Sequence, residues 1–314
     1  MRFVGAAEID SVLDYPALVD ALADAFRADV VAPVRHHHAV ERVGETAALI
    51  LMPAWQAAAD GFIGVKVVSV FPRNAALAKP SVMGTYLLMA GDSGEPLAAL
   101  DGQALTLWRT AAASALAARY LARPDASRMA MIGAGELAPR LIAAHAAIRP
   151  ITAVTIWNRT PEAAERLAAA FDRPGLAVTA TRDRAAAVGD ADIVSAATMA
   201  REPLIRGEWL KPGTHVDIVG GYTPHMREAD DSAIRRSTVY VDTRGGALHE
   251  AGDIVQPMAA GVIGEADIAG DLSDLCRGTV PGRQSDREIT LFKSVGSAIE
   301  DLAAAILVWQ RLAS

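Results

Sequence analysis

Two sets of residues in this sequence have the types and spacing that chemistry needs. The first is Gly133-Ala134-Gly135-Glu136-Leu137-Ala138, which fits G-x-G-x-x-A. In that pattern the first Gly permits a tight turn and the second lets the backbone approach a pyrophosphate. The small third residue lets a helix pack closely on a strand. The N–H groups that open such a helix present a partial positive charge to the phosphates. The second set is cationic: Arg35 after Pro33-Val34, Lys66 inside Gly64-Val65-Lys66-Val67-Val68, and Arg109 within Leu107-Trp108-Arg109-Thr110. Burying an unpaired ammonium costs several kcal/mol, so a Lys in an apolar strand calls for an anion. A substrate carboxylate would serve, and Arg would hold it by two parallel hydrogen bonds. Three separate structural ion pairs or exposed charges are the competing reading.

The elements that must position these groups fall into two patterns. Residues 16–30 carry Leu18, Val19, Leu22, Ala25 and Phe26 at helical spacing, while 63–71 and 82–89 are Val-, Ile- and Leu-rich strands. A helix is expected from Thr106 to Leu121, and Arg123-Pro124-Asp125 breaks it as a candidate domain boundary. Beyond that break, short apolar runs at Met129–Ile132, Val154–Trp157, Leu176–Ala180, Ile193–Ala196, His215–Val219 and Val239–Val241 alternate with helical stretches. Such alternation implies a parallel sheet with helical crossovers, so the glycine motif follows a strand and opens a helix in an α/β Rossmann-type domain. The last amphipathic helix, Ser297 to Leu312, is expected to return to the first domain.

The tip of the second strand of this unit selects the cofactor. A site for NAD usually places Asp or Glu there, on the ribose 2′-hydroxyl. Here the tip reads Trp157-Asn158-Arg159-Thr160. Arg159 can pair with a 2′-phosphate, and Asn158 and Thr160 can donate hydrogen bonds to it. NADP(H) is therefore predicted over NAD(H), with NAD(H) still possible.

Composition sets the outer limits. The 314 residues suggest two domains at roughly 150 residues each. A hydrophobic share of 52% against 21% charged excludes a disordered chain. A net charge of −7 argues against nucleic acid or an anionic membrane as partner. Cys276 is the single cysteine, so no internal disulfide is possible. No apolar run reaches the roughly 18 residues of a membrane span, and Glu8 and Asp10 interrupt any signal peptide, so the expected location is cytoplasmic. His36-His37-His38 suggests a metal, but consecutive strand residues point to opposite faces and seldom converge on one ion; no metal site is predicted.

Over nearly its whole length the chain resembles the ornithine cyclodeaminase/mu-crystallin family. The resemblance is carried by Met52-Pro53, Gly64–Lys66 with Phe71-Pro72, Leu100-Asp101-Gly102 with Leu105-Thr106 and Arg109–Ser114, and Ile132–Gly135. It continues through Gly207–Gly213, Glu250-Ala251-Gly252-Asp253 and Phe292–Gly296. It implies a Rossmann domain over 124–296 and an α+β substrate-binding and dimerisation domain from 1–123 and 297–314, in a homodimer. Arg35 corresponds to the family's carboxylate-binding Arg, Lys66 to its active-site Lys and Arg109 to its second substrate-site Arg. Ser81 corresponds to a hydroxyl residue near the cofactor. The resemblance also places Thr110, Thr198, Val219, Gly220, Lys293 and Ser294 at the cofactor, with Phe292–Gly296 as a loop beside the nicotinamide.

One departure bears on the reaction. Ornithine cyclodeaminases carry an Asp just after the Gly-Gly that follows the strand at His215–Val219; here Gly220-Gly221 is followed by Tyr222. A phenol with an ordinary pKa of about 10 is a poor base near neutral pH. Mu-crystallin-like members also lack the acid and share the Trp157–Thr160 tip; they reduce cyclic ketimines with NADPH. The expected reaction is hydride transfer to a C=N carbon bearing a carboxylate, with Arg35, Lys66 and Arg109 as clamp, Tyr222 nearby, and a low-pKa Lys66 as proton relay. Ornithine cyclisation (with Asp217 or Asp230 as substitute base), alanine dehydrogenase-like oxidation, and non-catalytic NADPH-dependent ligand binding remain the alternatives.

Overall fold

The computed structural model describes residues 1–77, 79–171 and 173–313. It divides into two compact units, Met1–Thr110 with Ser297–Ser314, and Ala111–Gly296. The first division falls inside the helix Gly102–Leu121, ahead of the Arg123-Pro124-Asp125 segment.

The first unit opens with β1 (Arg2–Val4), α1 (Ala6–Val12) and α2 (Tyr15–Arg27). Asp14 starts α2: its carboxylate accepts from Ala17 N at 2.9 Å, and Pro16 occupies the first turn. Leu18, Val19, Leu22 and Phe26 then form the buried stripe. There follow β2 (Val30–Val31), β3 (His36–Arg42), β4 (Glu45–Gln56), β5 (Phe62–Val70), β6 (Val82–Ala90) and β7 (Pro96–Asp101). They form one sheet in the order β1-β7-β6-β5-β4-β2, with β3 also on β4; all pairs are antiparallel except β1 with β7. α3 (Gly102–Leu121) starts four residues before the expected Thr106, because Asp101 Oδ1 accepts from both Gln103 N and Ala104 N at 2.9 Å. That cap is made by a strand's last residue, so apolar periodicity did not reveal it.

The second unit contains β8 (Arg128–Ile132), α4 (Leu137–Ile148), β9 (Ala153–Trp157), α5 (Pro161–Ala170), β10 (Ala177–Thr181), α6 (Arg184–Asp190), β11 (Ile193–Ala196), β12 (His215–Ile218), α7 (Asp231–Arg236) and β13 (Thr238–Val241). It ends with α8 (Arg244–Glu250), α9 (Gly252–Ala259), β14 (Ile268–Asp271), α10 (Leu272–Arg277) and β15 (Thr290–Lys293). All eight strands are parallel, in the order β10-β9-β8-β11-β12-β15-β13-β14. This is a Rossmann-type sheet, and its order reverses between β8 and β11, where ligands bind in such folds. Phe292 and Lys293, expected in a loop, lie in β15 between β12 and β13; only Ser294–Gly296 are loop. The run is short and buried on both faces, so it lacks the alternation that marks an exposed strand.

α11 (Ala298–Ala313) belongs to the first unit, packing on α2 and across β4, β5 and β6. Among the described residues no helix is long and apolar enough to cross a membrane, and no group of three or more His, Cys, Asp or Glu is placed to hold a metal ion.

Candidate active site

At the switch point of the second unit lies a cavity of about 830 Å³. The ends of β8, β9, β11 and β12 build its wall. Gly133 turns the chain at φ 111°, and a Cβ there would lie 2.8 Å from Ala197 O, so this turn requires glycine. Its N–H donates to Trp157 O at 2.8 Å, tying the ends of β8 and β9 together. At Gly135 the opposite holds: an added Cβ would meet nothing within 4 Å. The bare backbone there faces open space, just ahead of α4, as a pyrophosphate cradle requires. The residues present thus fit a dinucleotide.

Gly133, Gly135, Glu136, Leu137, Asn158, Arg159, Thr160, Thr198, Val219, Gly220 and Tyr222 all line this cavity. Ala138 is buried in the first turn of α4, as the packing role of the third motif position demands. Asn158 spends its amide on Thr160 O at 2.9 Å and so shapes the tip of β9. Thr160 caps α5 without using its hydroxyl, which remains available to a ligand. Arg159 is exposed. Trp157 and Arg184 also line the cavity, and the Arg184 guanidinium lies 4.6 Å from the Trp157 ring centroid and 5.5 Å from that of Trp209.

Lys293 and Ser294 lie beneath this wall and do not line the cavity. Lys293 is fully buried, donates to Gly220 O, and lies 3.5 Å from Asp253 Oδ2. Ser294 Oγ donates to Asp242 Oδ2 at 3.2 Å, and the same oxygen accepts from Val295 N and Gly296 N at 2.7 and 2.6 Å. Glu228 was missed by sequence reasoning. It is fully buried and accepts from both the N–H and the hydroxyl of Thr198, each at 2.7 Å. Burial pushes its carboxyl up to about 7, against the opposing pull of Lys293. Thr198 and Gly220 are therefore held from below by a buried Glu and a buried Lys. Close approach enforces glycine again here: a Cβ on Gly220 would lie 2.1 Å from Thr198 O.

Neither of the two acids considered as substitute bases, Asp217 and Asp230, stands at the cavity beside Tyr222. Asp217 is fully buried, accepting from Ser195 Oγ at 2.7 Å with His145 Nε2 at 3.2 Å. Burial raises its carboxyl, but those two partners outweigh it and hold the pKa below the usual range. Asp230 caps α7, accepting from Ala233 N and Gly207 N at 2.7 and 2.9 Å. Neither lines the cavity.

The first unit gathers the cations. Lys66 Nζ lies 2.9 Å from Asp301 Oδ1 and 2.7 Å from Oδ2. Arg109 donates from Nε to Asp301 Oδ1 at 3.0 Å and from Nη1 to Glu300 Oε2 at 2.7 Å. Of the two sequence readings for Lys66, an anion from the protein itself is present: α11 supplies Asp301. Burial is the main force lowering Lys66, to about 8; Asp301 opposes it, while Arg109 and then Arg35 add to it. Arg35, half-buried in the loop before β3, is thus an electrostatic neighbour of Lys66. Burial raises the Asp301 carboxyl, yet Lys66 and Arg109 prevail and keep it below the usual range. Tyr86, paired with Lys66 across β5 and β6, is pushed well above its ordinary value by burial and by Asp301.

Ser81 lies half-buried just before β6, where its carbonyl accepts from Phe71 N at 2.7 Å. Thr110 is the buried last residue of the first segment of its unit. The signal for Glu300 and Asp301 was visible: two adjacent acids interrupt an otherwise Ala- and Leu-rich helix. On a buried helix, such acids need cations.

Residues 3–314 match the ornithine cyclodeaminase/mu-crystallin family. The chain is 36% identical to a Delta(1)-pyrroline-2-carboxylate reductase of Colwellia psychrerythraea, covering 100% of both chains. It is 36% identical to the mouse ketimine reductase mu-crystallin over 84% of this chain and 80% of that one. Among solved structures, the Thermococcus litoralis Delta(1)-pyrroline-2-carboxylate reductase, in complex with NADH and L-proline, superposes with a TM-score of 0.93 at 33% identity, covering 100% of this chain and 98% of that one.

Proposed function

We propose that this chain, which belongs to the ornithine cyclodeaminase/mu-crystallin family, reduces a cyclic imine carboxylate to the corresponding cyclic amino acid with a nicotinamide cofactor. The names of its relatives support this reaction class. The observation that carries it is Lys66: a buried ammonium lowered to about 8, beside two guanidiniums and fixed by Asp301. The reduced nicotinamide supplies hydride to the imine carbon. Imines accept hydride best when protonated, and Lys66, with a pKa near the working range, hands its proton to the imine nitrogen. The C=N bond becomes CH–NH, and Lys66 regains its proton from solvent. Arg35 and Arg109 orient the carboxylate, with Glu300 and Asp301 fixing the Arg109 fork in advance. The substitution of Tyr222 for an acid disfavours ornithine cyclisation, since neither Asp217 nor Asp230 lines the cavity.

The finer cofactor reading is NADP(H). β9 ends without an acid, and Arg159 lines the cavity at its tip, where a 2′-phosphate would meet a cation. The deciding experiment is a substrate panel with NADPH and NADH oxidation followed optically. It includes pyrroline-2-carboxylate, piperideine-2-carboxylate, pyruvate with methylamine, and ornithine. Reduction of the cyclic imines, faster with NADPH, is the expected result. Ammonia release from ornithine with no imine reduction would overturn the reaction, and tighter binding of NADH would overturn the cofactor choice.

A further inference from the structure

The dinucleotide cavity contains a cation that neither the glycine motif nor the β9 tip accounts for. Arg184 is the first residue of α6, lines the cavity, and stacks on Trp157 and Trp209. Stacking on indoles fixes where a guanidinium sits but leaves its charge unneutralised. Among the described residues no carboxylate pairs with Arg184, and its buried Nε has no hydrogen-bond partner. The charged group that most affects it is another cation, Arg206, which lies 5.4 Å over Trp209 and is itself 3.6 Å from Glu208. Arg159 lines the same cavity and likewise pairs with no acid among the described residues.

We infer that Arg184 is a second cationic ligand for the 2′-phosphate of NADP, acting with Arg159 and held in place by Trp157 and Trp209. This rests on the cofactor reading above. With indoles already stacked on it, the guanidinium has edge N–H groups left to offer, and these suit an oxyanion better than the face of an adenine. Two unneutralised cations match a phosphate dianion; they have little to gain from a neutral ribose hydroxyl. A guanidinium already immobilised also loses little freedom when the phosphate arrives.

Calorimetric titration of the full chain with NADPH, NADH, 2′,5′-ADP and 5′-AMP tests this without turnover. Arg184→Met keeps an apolar stem against the indoles and removes the charge. It is expected to weaken NADPH and 2′,5′-ADP by about ten- to a hundred-fold, and NADH and 5′-AMP by less than about two-fold. Equal losses for phosphorylated and unphosphorylated ligands would make Arg184 a general adenosine contact and overturn the inference, as would an unchanged affinity for 2′,5′-ADP. A wild-type preference for NADH would overturn the cofactor reading by itself, whereas the shift in the 2′,5′-ADP to 5′-AMP ratio judges Arg184 separately. If Arg184→Met fails to fold, Arg184→Lys, which keeps the charge but loses the planar fork, must show the same ordering with a smaller loss.

Discussion

Lys66 and Arg109 are 3% and 5% exposed and find their counter-charges within their own unit, on Glu300 and Asp301. Arg159 and Arg184 line an open cavity, and neither pairs with an acid among the described residues. The difference follows from solvation. An ammonium or guanidinium that leaves water must bring an acid with it, or folding loses several kcal/mol. A cation at the edge of a cavity keeps part of its hydration and can wait for a ligand. The buried group is thus positioned by the protein and tuned in pKa, while the cavity group is available for selectivity.

The sharpest test of that contrast is Lys66→Met. Removing the proposed proton donor should lower imine reduction by at least about 10³-fold, within the range seen when general acids are deleted. Cofactor affinity, measured by titration, should stay within about two-fold; retained turnover would take Lys66 out of the mechanism. Asp301→Asn comes next, and it breaks the comparison from the acid side. It strips a buried partner from two cations and should cost about 3–5 kcal/mol of stability, read from urea unfolding. Since Asp301 raises the Lys66 pKa, its loss should also move the alkaline limb of activity to lower pH. In the unmodified protein that limb is expected near pH 8. Above it the ammonium loses its proton, so reduction should fall about ten-fold per pH unit while the reverse oxidation, which needs the free amine, rises. The smallest effect belongs to the cavity. Arg159→Ala should weaken NADPH by about ten-fold at low salt, and less as salt screens it, with NADH unchanged.

What the sequence made legible was what is local in the chain. The glycine motif, the strand before it and the helix after it lie within twenty residues, and each has its own signature. Lys66 was marked as needing an anion by the apolar residues around it, but the identity of that anion was hidden. Asp301 lies 235 positions away, and no periodicity links a strand Lys to a helix Asp over that distance. Glu228 was hidden for the same reason: its task is to hold Thr198, 30 positions earlier, and a lone Glu in a loop reads as a solvated charge. β15 was missed on different grounds, since four residues buried on both faces show no alternation.

The placement of α11 also bears on how the chain is made. Residues 111–296 are contiguous, so all contacts within that unit are available before 297–313 have been made. Residues 1–110 emerge first, yet Lys66 and Arg109 have no Asp301 until 297–313 have been synthesised. During translation the earliest part of the chain therefore waits longest for its partners, and a premature stop before residue 300 would leave two cations without their acids.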